Sequence, residues 1–424
     1  MSCNEWKTVK LGDVADVLSG YAFKTKDFIE EGVPVVKIKN IIPPNIDIND
    51  TQYVSNEMYE EKIKYALNYN DILISMTGSN VNQIASAVGK IGRVKLKYTK
   101  LLLNQRVGKL FVKDNSKCNY DYLYYYLIQP EIRYNLAANA GGSANQANIS
   151  PADIKNIDIK LPSLEEQEKI VNILSCLDDK IELNNEMNKT LEEMAQSIFK
   201  RWFVDFEFPN EDGQPYKSSG GEMVESEFGM IPKDWEVKAL DEILDSISIK
   251  HKFPNEKIIF LNTSDILDGE VLHNNYSDVN SLPGQAKKSI QKGDILYSEI
   301  RPKNKRYTFI DFDADDYVVS TKLMVLRTKN RFNPAMIYFY LTNEDTINYL
   351  QTIAEGRSGT FPQITFNELK KLKICVPNNN TIAKQGDFFE NILKTINNNK
   401  KEVKQLKEMR DTLLLKLMSG EIRV

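Results

Sequence analysis

Only two histidines, His251 and His273, occur in the 424-residue chain, and neither stands in a Cys/His cluster or an H-E-x-x-H helix that could hold zinc. Neither sits beside a G-x-S-x-G elbow, so a serine nucleophile has no evident base. A G-x-x-x-x-G-K-[ST] loop for nucleoside triphosphates is absent, as is a G-x-G-x-x-G turn. Pro43-Pro44 runs into Asn-Ile-Asp and does not complete the Asp/Asn-Pro-Pro-Tyr/Phe motif of amino-methyltransferases. Glu60-Glu61-Lys62 after Asp50 imitates part of a nuclease signature, but Glu-x-Lys spacing is common on solvated helices. The cysteines Cys3, Cys118, Cys176 and Cys375 form no C-x-x-C pair, which fits reduced thiols in a cytoplasm. The chemistry left to the chain is that of binding.

Two segments suit phosphate. Residues 90–100 carry Lys90, Arg93, Lys95, Lys97 and Lys100 without an acid, and residues 301–306 carry Arg301, Lys303, Lys305 and Arg306 near Lys287, Lys288 and Lys292. With a net charge of −4, any nucleic-acid surface must be local rather than global. A single basic cluster reads better as a solvated strand or turn face, whereas two in corresponding places shift the balance toward DNA. Base edges are read by Arg, Asn, Gln and small hydroxyls. Such groups stand beside glycines at Thr77, Ser79 and Asn80, at Ser143, Asn145, Gln146 and Asn148, and at Arg357, Ser358, Thr360 and Gln363. Plain turns would have the same composition. Lys24, Lys39, Asn40 and Arg106 in the first half, with Lys250, Lys252, Asn262, Ser264 and Lys322 in the second, complete the candidate DNA-binding set. Tyr21, Phe23 and the Tyr122–Tyr126 cluster could stack on bases, but the tyrosine cluster reads better as the core of a helix.

The elements that must position these residues are duplicated. Trp6–Val14 resembles Trp235–Ile243, Asn70–Ser75 resembles Gly293–Ser298, and Tyr124–Leu127 resembles Tyr338–Leu341. Leu161-Pro162 then matches Val376-Pro377, Asn-Ile-Leu recurs at 172–174 and 391–393, and Leu191-x-Glu-Met recurs from Leu406. Six matches in one order define an internal repeat. The offset is 229 at the tryptophans, 214 at the tyrosines and 215 at the Leu-x-Glu-Met motif, so the body has drifted in length while the later part keeps nearly constant length. Residues 33–41, 70–75, 105–112, 258–262, 293–298 and 317–327 are β-branched apolar runs that read as strands. Residues 119–136 and 334–350 show helical spacing.

Each copy ends in a long helical tail. Ser163 is a plausible N-cap, after which Ile170, Ile173, Leu177, Asn184, Met187, Leu191, Met194 and Ile198 follow a seven-residue repeat. Phe389, Ile392, Ile396, Asn399, Val403, Leu406, Arg410, Leu413 and Leu417 do the same in the second tail. Such seams want a partner helix. The net charge is −6 over 164–207 and +3 over 379–424, which favours pairing of the two tails over separate packing. Asn184 and Asn399 are equivalent under the repeat, and an antiparallel pair with internal two-fold symmetry is expected to set them face to face and fix the register. Two solvated asparagines at helix flanks are the alternative. A tail of roughly 40 residues would span about 60 Å, making the rod a spacer. No apolar run approaches the ~20 residues that cross a bilayer, so a soluble, cytoplasmic protein is expected.

The sequence resembles the specificity subunits of type I restriction-modification systems. The likeness lies in the openings W6KTVKLGDV and G229MIPKDWEVKAL, the joint L161PSLEEQEKIVNIL, the helix end I198FKRWFVDFEFP and the close L413LLKLMSGEIRV. It covers essentially the full length. It implies an α+β chain with an internal pseudo-two-fold repeat, in which two globular mixed α/β target recognition domains are joined by two long antiparallel coiled-coil helices. The expected divisions are 1–160 and 210–378 for the domains, with helices at 161–209 and 379–424. The implied partners are double-stranded DNA, two modification (methyltransferase) subunits and ATP-dependent restriction subunits, with no membrane. S-adenosylmethionine, ATP and Mg belong to those partners, and this chain is expected to hold no cofactor or metal and to be no enzyme. Trp202, Phe203 and Phe206 are either where methyltransferase subunits dock or internal packing. The alternatives left open are a protein-binding scaffold and part of a fused restriction and methylation enzyme.

Overall fold

The computed structural model describes residues 6–143, 146–329, 332–377 and 381–424. Two compact units emerge: residues 1–181 with 405–424, and residues 182–404. The division falls inside each long helix, Leu164–Phe203 and Thr381–Ser419, so each unit contains part of both.

The first unit is closed by its own ends. Strand Lys7–Lys10 pairs antiparallel with Asp158–Leu161, setting Lys7 opposite Leu161, and the chain then passes through Pro162 into the long helix. A six-stranded sheet takes Ala15–Ser19, Val107–Val112, Ile72–Ser75 and Ile91–Arg93 in that spatial order before two short edge strands. The tyrosine segment is its core: Tyr122 is fully buried, its hydroxyl donating to the Lys160 carbonyl at 2.7 Å, and Tyr126 donates to the Asp158 carbonyl at 3.0 Å. Each buried phenol thus finds an acceptor, as an otherwise costly polar group must. The single helix expected over 119–136 is two, Tyr120–Leu127 and Pro130–Ala138, because Pro130 can begin a helix but not continue one.

The second unit repeats this plan. Trp235–Ala239 pairs with Lys373–Pro377, setting Trp235 opposite Pro377. Leu244–Ile247, Leu323–Thr328 and Ile295–Ser298 lie side by side as their counterparts do. The helical segment again breaks, into Pro334–Thr342 and Glu344–Arg357, with the extended Asn343 accepting from the Asp345 amide. The run 317–327 is two strands, Tyr317–Ser320 and Leu323–Thr328, and the turn between them becomes part of the site.

Within each unit the two long helices run antiparallel. In the first, Ile170, Leu174, Leu414, Leu417 and Met418 share one core, and Arg410 pairs with Asp178 at 2.9 Å. Ser163 caps the first helix through the Glu166 amide at 3.3 Å. Gln167, with no exposed surface, donates to the Lys117 and Pro162 carbonyls at 3.0 Å each and accepts from the Asn119 amide at 2.8 Å. Replacing it, as in Gln167→Leu, strands three polar groups. A loss of about 2–3 kcal/mol is expected, read as a lower urea midpoint for the first unit.

In the second unit the seam asparagines do not bond to each other. Asn184, 1% exposed, donates to Glu402 at 2.9 Å, and Asn399 donates to Asn188 at 2.8 Å and approaches the Met187 sulfur at 3.4 Å. Under the repeat Glu402 is the counterpart of Met187, so each asparagine reaches the same position beyond its own counterpart. The contacts are reciprocal, but staggered by about a turn. Met187 and Met194, expected on the seam, are exposed, while Asn188 and Ala195 are buried.

Candidate nucleic-acid interface

Three loops remote in sequence meet in the first unit. Strand Thr77–Gly78 pairs with Gln146–Asn148, which also pairs with Gly141–Ser143, so the two polar glycine-rich segments form one small sheet. The Thr77 hydroxyl donates to Asn148 Oδ1 at 2.8 Å. Two backbone hydrogen bonds fix the assembly: the Met76 amide to the Arg106 carbonyl at 2.9 Å and the Ile149 amide to the Met76 carbonyl at 3.0 Å. Arg106, Gln146 and Asn148 are exposed.

The second unit builds the same frame. The Glu299 amide donates to the Lys322 carbonyl at 3.0 Å, and the Ile364 amide to the Glu299 carbonyl at 2.8 Å. Ile300 and Gln363 form a bridge where Thr77 and Asn148 pair. A capping box follows in each: Ser150 with Asp153 before helix Pro151–Lys155, and Thr365 with Glu368 before helix Phe366–Leu369. Hydrogen bonds from the Ser150 amide and hydroxyl lower the Asp153 pKa.

The side chains on this common frame differ. Lys322 donates to both Glu299 and Gln363 at 3.2 Å, and Arg301 donates to the Thr360 carbonyl at 3.2 Å. Lys288 braces the turn from behind, donating to the Thr321 and Leu323 carbonyls at 3.1 and 2.8 Å, and burial pushes its ammonium pKa down. Arg301 and Lys305 hold left-handed φ of 43° and 52° at the two ends of the turn Pro302–Asn304, conformations that non-glycine residues adopt only when the surroundings enforce them.

Several of the candidate DNA-binding residues are engaged within the fold. Arg93 is 7% exposed, pairs with Asp121 at 2.6 Å and stacks on Tyr124 with its guanidinium carbon 3.9 Å from the ring centre. Asn40, 2% exposed, donates to the Asp47 and Asp50 carbonyls at 2.9 and 3.0 Å. Ser79 is 6% exposed and bonds to Ser86 and the Gln83 carbonyl, and Asn80 caps the next turn through the Asn82 amide. Lys90 is half-buried, with its pKa lowered by burial and by Arg133. Asn262 caps its own turn through the Thr263 amide, Ser264 bonds to Asp265, and Arg306 donates to the Thr263 carbonyl at 2.7 Å. Arg357 pairs with Glu368 at 2.6 Å, and the Ser358 hydroxyl accepts from the Phe361 amide.

Lys24, Lys250, Lys252 and Lys303 are exposed. Lys39 is exposed beside Asp50 at 2.7 Å, and Lys305 lies 3.9 Å from Asp268. Ser143 is described only as the end of its strand, and Asn145 lies outside the described residues. Phe203 and Phe206 are 3% and 7% exposed and pack on Trp235 at 5.5 and 5.6 Å between ring centres. They are internal, not docking, residues. Trp202 is half-buried against Phe388 and Phe389.

Two positions escaped the sequence reading. Gln105 is exposed beside Arg106 in the turn before strand Val107–Val112, and Glu299 holds Lys322. The Asn104-Gln105-Arg106 run was a signal for the first; for the second only the fold supplies one. Gly78 is required sterically, since a Cβ there would stand 2.7 Å from the Ser86 carbonyl oxygen and 2.8 Å from the Val88 nitrogen. Gly78→Ala is expected to cost about 1–3 kcal/mol and to weaken DNA retention, measured by thermal melting and filter binding.

The two units thus carry two copies of one frame with different side chains on it, Met76 and Arg106 against Glu299 and Lys322. The family model for the type I restriction modification DNA specificity domain matches residues 4–193 and again 232–408. The chain belongs to this family and is a specificity subunit of type I restriction-modification systems. It is 25% identical over 434 residues to the MjaIX specificity subunit of Methanocaldococcus jannaschii, covering 99% of this chain and 94% of that one. It is 47% identical over 160 residues to the HindI specificity subunit of Haemophilus influenzae, a match that spans 37% of this chain and 34% of that one. The crystal structure of the S subunit from M. genitalium shares the fold, with a TM-score of 0.60 at 16% identity over 98% of this chain and 97% of that one. The α+β architecture with a repeated domain and long helices follows that expected from the sequence. Among the described residues no helix is long and apolar enough to cross a membrane.

Proposed function

We propose that each unit reads one half of a bipartite, gapped duplex target, and that the chain itself performs no catalysis. The observation that carries this reading is the repeated loop frame: Met76, Arg106 and Ile149 correspond to Glu299, Lys322 and Ile364 in backbone bonding, and while the isoleucine is kept, Met76 gives way to an acid and Arg106 to a lysine. Equivalent frames approach a duplex alike, and unlike side chains select unlike bases. Exposed Lys24, Arg106, Lys250, Lys252 and Lys303 would supply phosphate contacts around the two frames.

In this reading the chain positions two methyltransferase subunits and the ATP-dependent restriction subunits, in the cytoplasm where the DNA lies. S-adenosylmethionine, ATP and Mg act on those partners, and none is held here. Trp202 is the remaining aromatic candidate for their docking. Footprinting of the assembled methyltransferase complex on its target tests the proposal. Two protected blocks of unlike sequence around a sequence-indifferent gap are expected, whereas one continuous block would contradict it.

A further inference from the structure

We propose that Asn148 and Gln363 are matched base-reading residues, each presenting its carboxamide NH2 to a purine N7 in its own half-site. The inference rests on the bipartite reading above and assigns the residue in each unit that makes the discrimination.

The two positions are equivalent by geometry. Each immediately precedes the isoleucine whose amide binds the strand-end carbonyl, Ile149 to Met76 and Ile364 to Glu299. Each lies opposite the second residue after the strand, Thr77 or Ile300. Each stands two residues before the capping-box residue, Ser150 or Thr365. Around them the side chains have diverged, Met76 against Glu299 and Arg106 against Lys322, yet both positions carry an amide.

Both amides are also held in the same sense. Asn148 Oδ1 accepts from the Thr77 hydroxyl at 2.8 Å, and Gln363 Oε1 accepts from the Lys322 ammonium at 3.2 Å. An ammonium can only donate, so Lys322 fixes Gln363 Oε1 as the acceptor and leaves its NH2 as the outward donor; the Thr77 hydroxyl, able to donate or accept, donates to Asn148 Oδ1 and so leaves that NH2 outward as well. Among the described residues neither amide nitrogen has a partner in its own unit. Asn148 is exposed and Gln363 half-exposed, so both donors can be reached. The second lone pair of each amide oxygen can accept from an adjacent amino group. That pattern, donor to N7 and acceptor from N6, matches adenine best.

The chain assembled with its methyltransferase subunits selects duplexes from a randomised pool, and the retained sequences are read. Asn148→Ala is expected to reduce the preference at one base pair of one half-site about tenfold or more, leaving the other half-site unchanged. Gln363→Ala is expected to do the same in the other half-site only. Unchanged preferences in both variants, with the wild-type complex enriching a bipartite sequence, overturn the assignment while leaving the bipartite reading intact. A wild-type complex that enriches no bipartite sequence overturns that reading and the assignment with it. Should an alanine variant lose retention even at low salt, Asn148→Gln and Gln363→Asn decide: a preference altered in one half-site supports the assignment, and an unaltered one refutes it.

Discussion

Arg327→Met is expected to destabilise the second unit by about 3–5 kcal/mol, the range for breaking a buried ion pair from one side. Asp294 has no exposed surface, and Arg327 grips it with two hydrogen bonds, Nε to Oδ1 at 2.7 Å and a terminal nitrogen to Oδ2 at 2.9 Å. Without the guanidinium the carboxylate keeps, among the described residues, only the Gln291 amide at 2.8 Å. The first unit uses the same device, Asp71 with Lys109 at 2.6 Å, at the same place before the central strand. The pair ties Ile295–Ser298 to Leu323–Thr328, the strands that deliver Glu299 and Lys322, so the second half-site should lose its reader. Replacing both partners, Asp294→Leu with Arg327→Met, should recover much of the loss, because no unpaired charge then remains. Urea unfolding of the two variants checks this; a loss below about 1 kcal/mol for Arg327→Met would mean that solvent already screens the pair.

Phe389→Ala should cost a similar amount, about 3–5 kcal/mol. Phe389 is fully buried, and its ring centre lies 5.4–6.1 Å from those of Phe388, Phe339, Phe199, Trp202 and Phe203. These rings come from both long helices and from helix Pro334–Thr342, so one truncation opens a cavity where the helix pair meets the second core. Phe389→Leu keeps most of the volume and should lose under about 1.5 kcal/mol. Thermal melting of the pair checks the order, and equal melting temperatures would contradict the packing described.

Much of this arrangement was legible in the residues because it depends on local pattern. The repeat, the paired helical tails and the tyrosine core follow from spacing, and Ser163 followed from capping chemistry. What depended on distant partners was not legible. Arg93 looks like a phosphate ligand among its basic neighbours until Asp121 and Tyr124 close around it. Asn40 and Ser79 are polar loop residues by composition, but their hydrogen bonds to carbonyls several residues away hold the loops' own shape. Asn184 and Asn399 were correctly placed on helices that pair, yet a 3.6-residue turn does not fix the stagger, and Glu402 and Asn188 took the expected contacts. The glycine-rich loops were the reverse case: Thr77 and Asn148 stood out separately, and only the fold joined them.

The most direct test of two unlike readers on one chain is methylome sequencing of cells expressing it with its methyltransferase partner. The account predicts methylated adenines within one asymmetric motif of two different short blocks separated by a fixed gap of unspecified bases. A palindromic or ungapped motif, or no sequence-specific methylation from a complex shown to assemble, would contradict it.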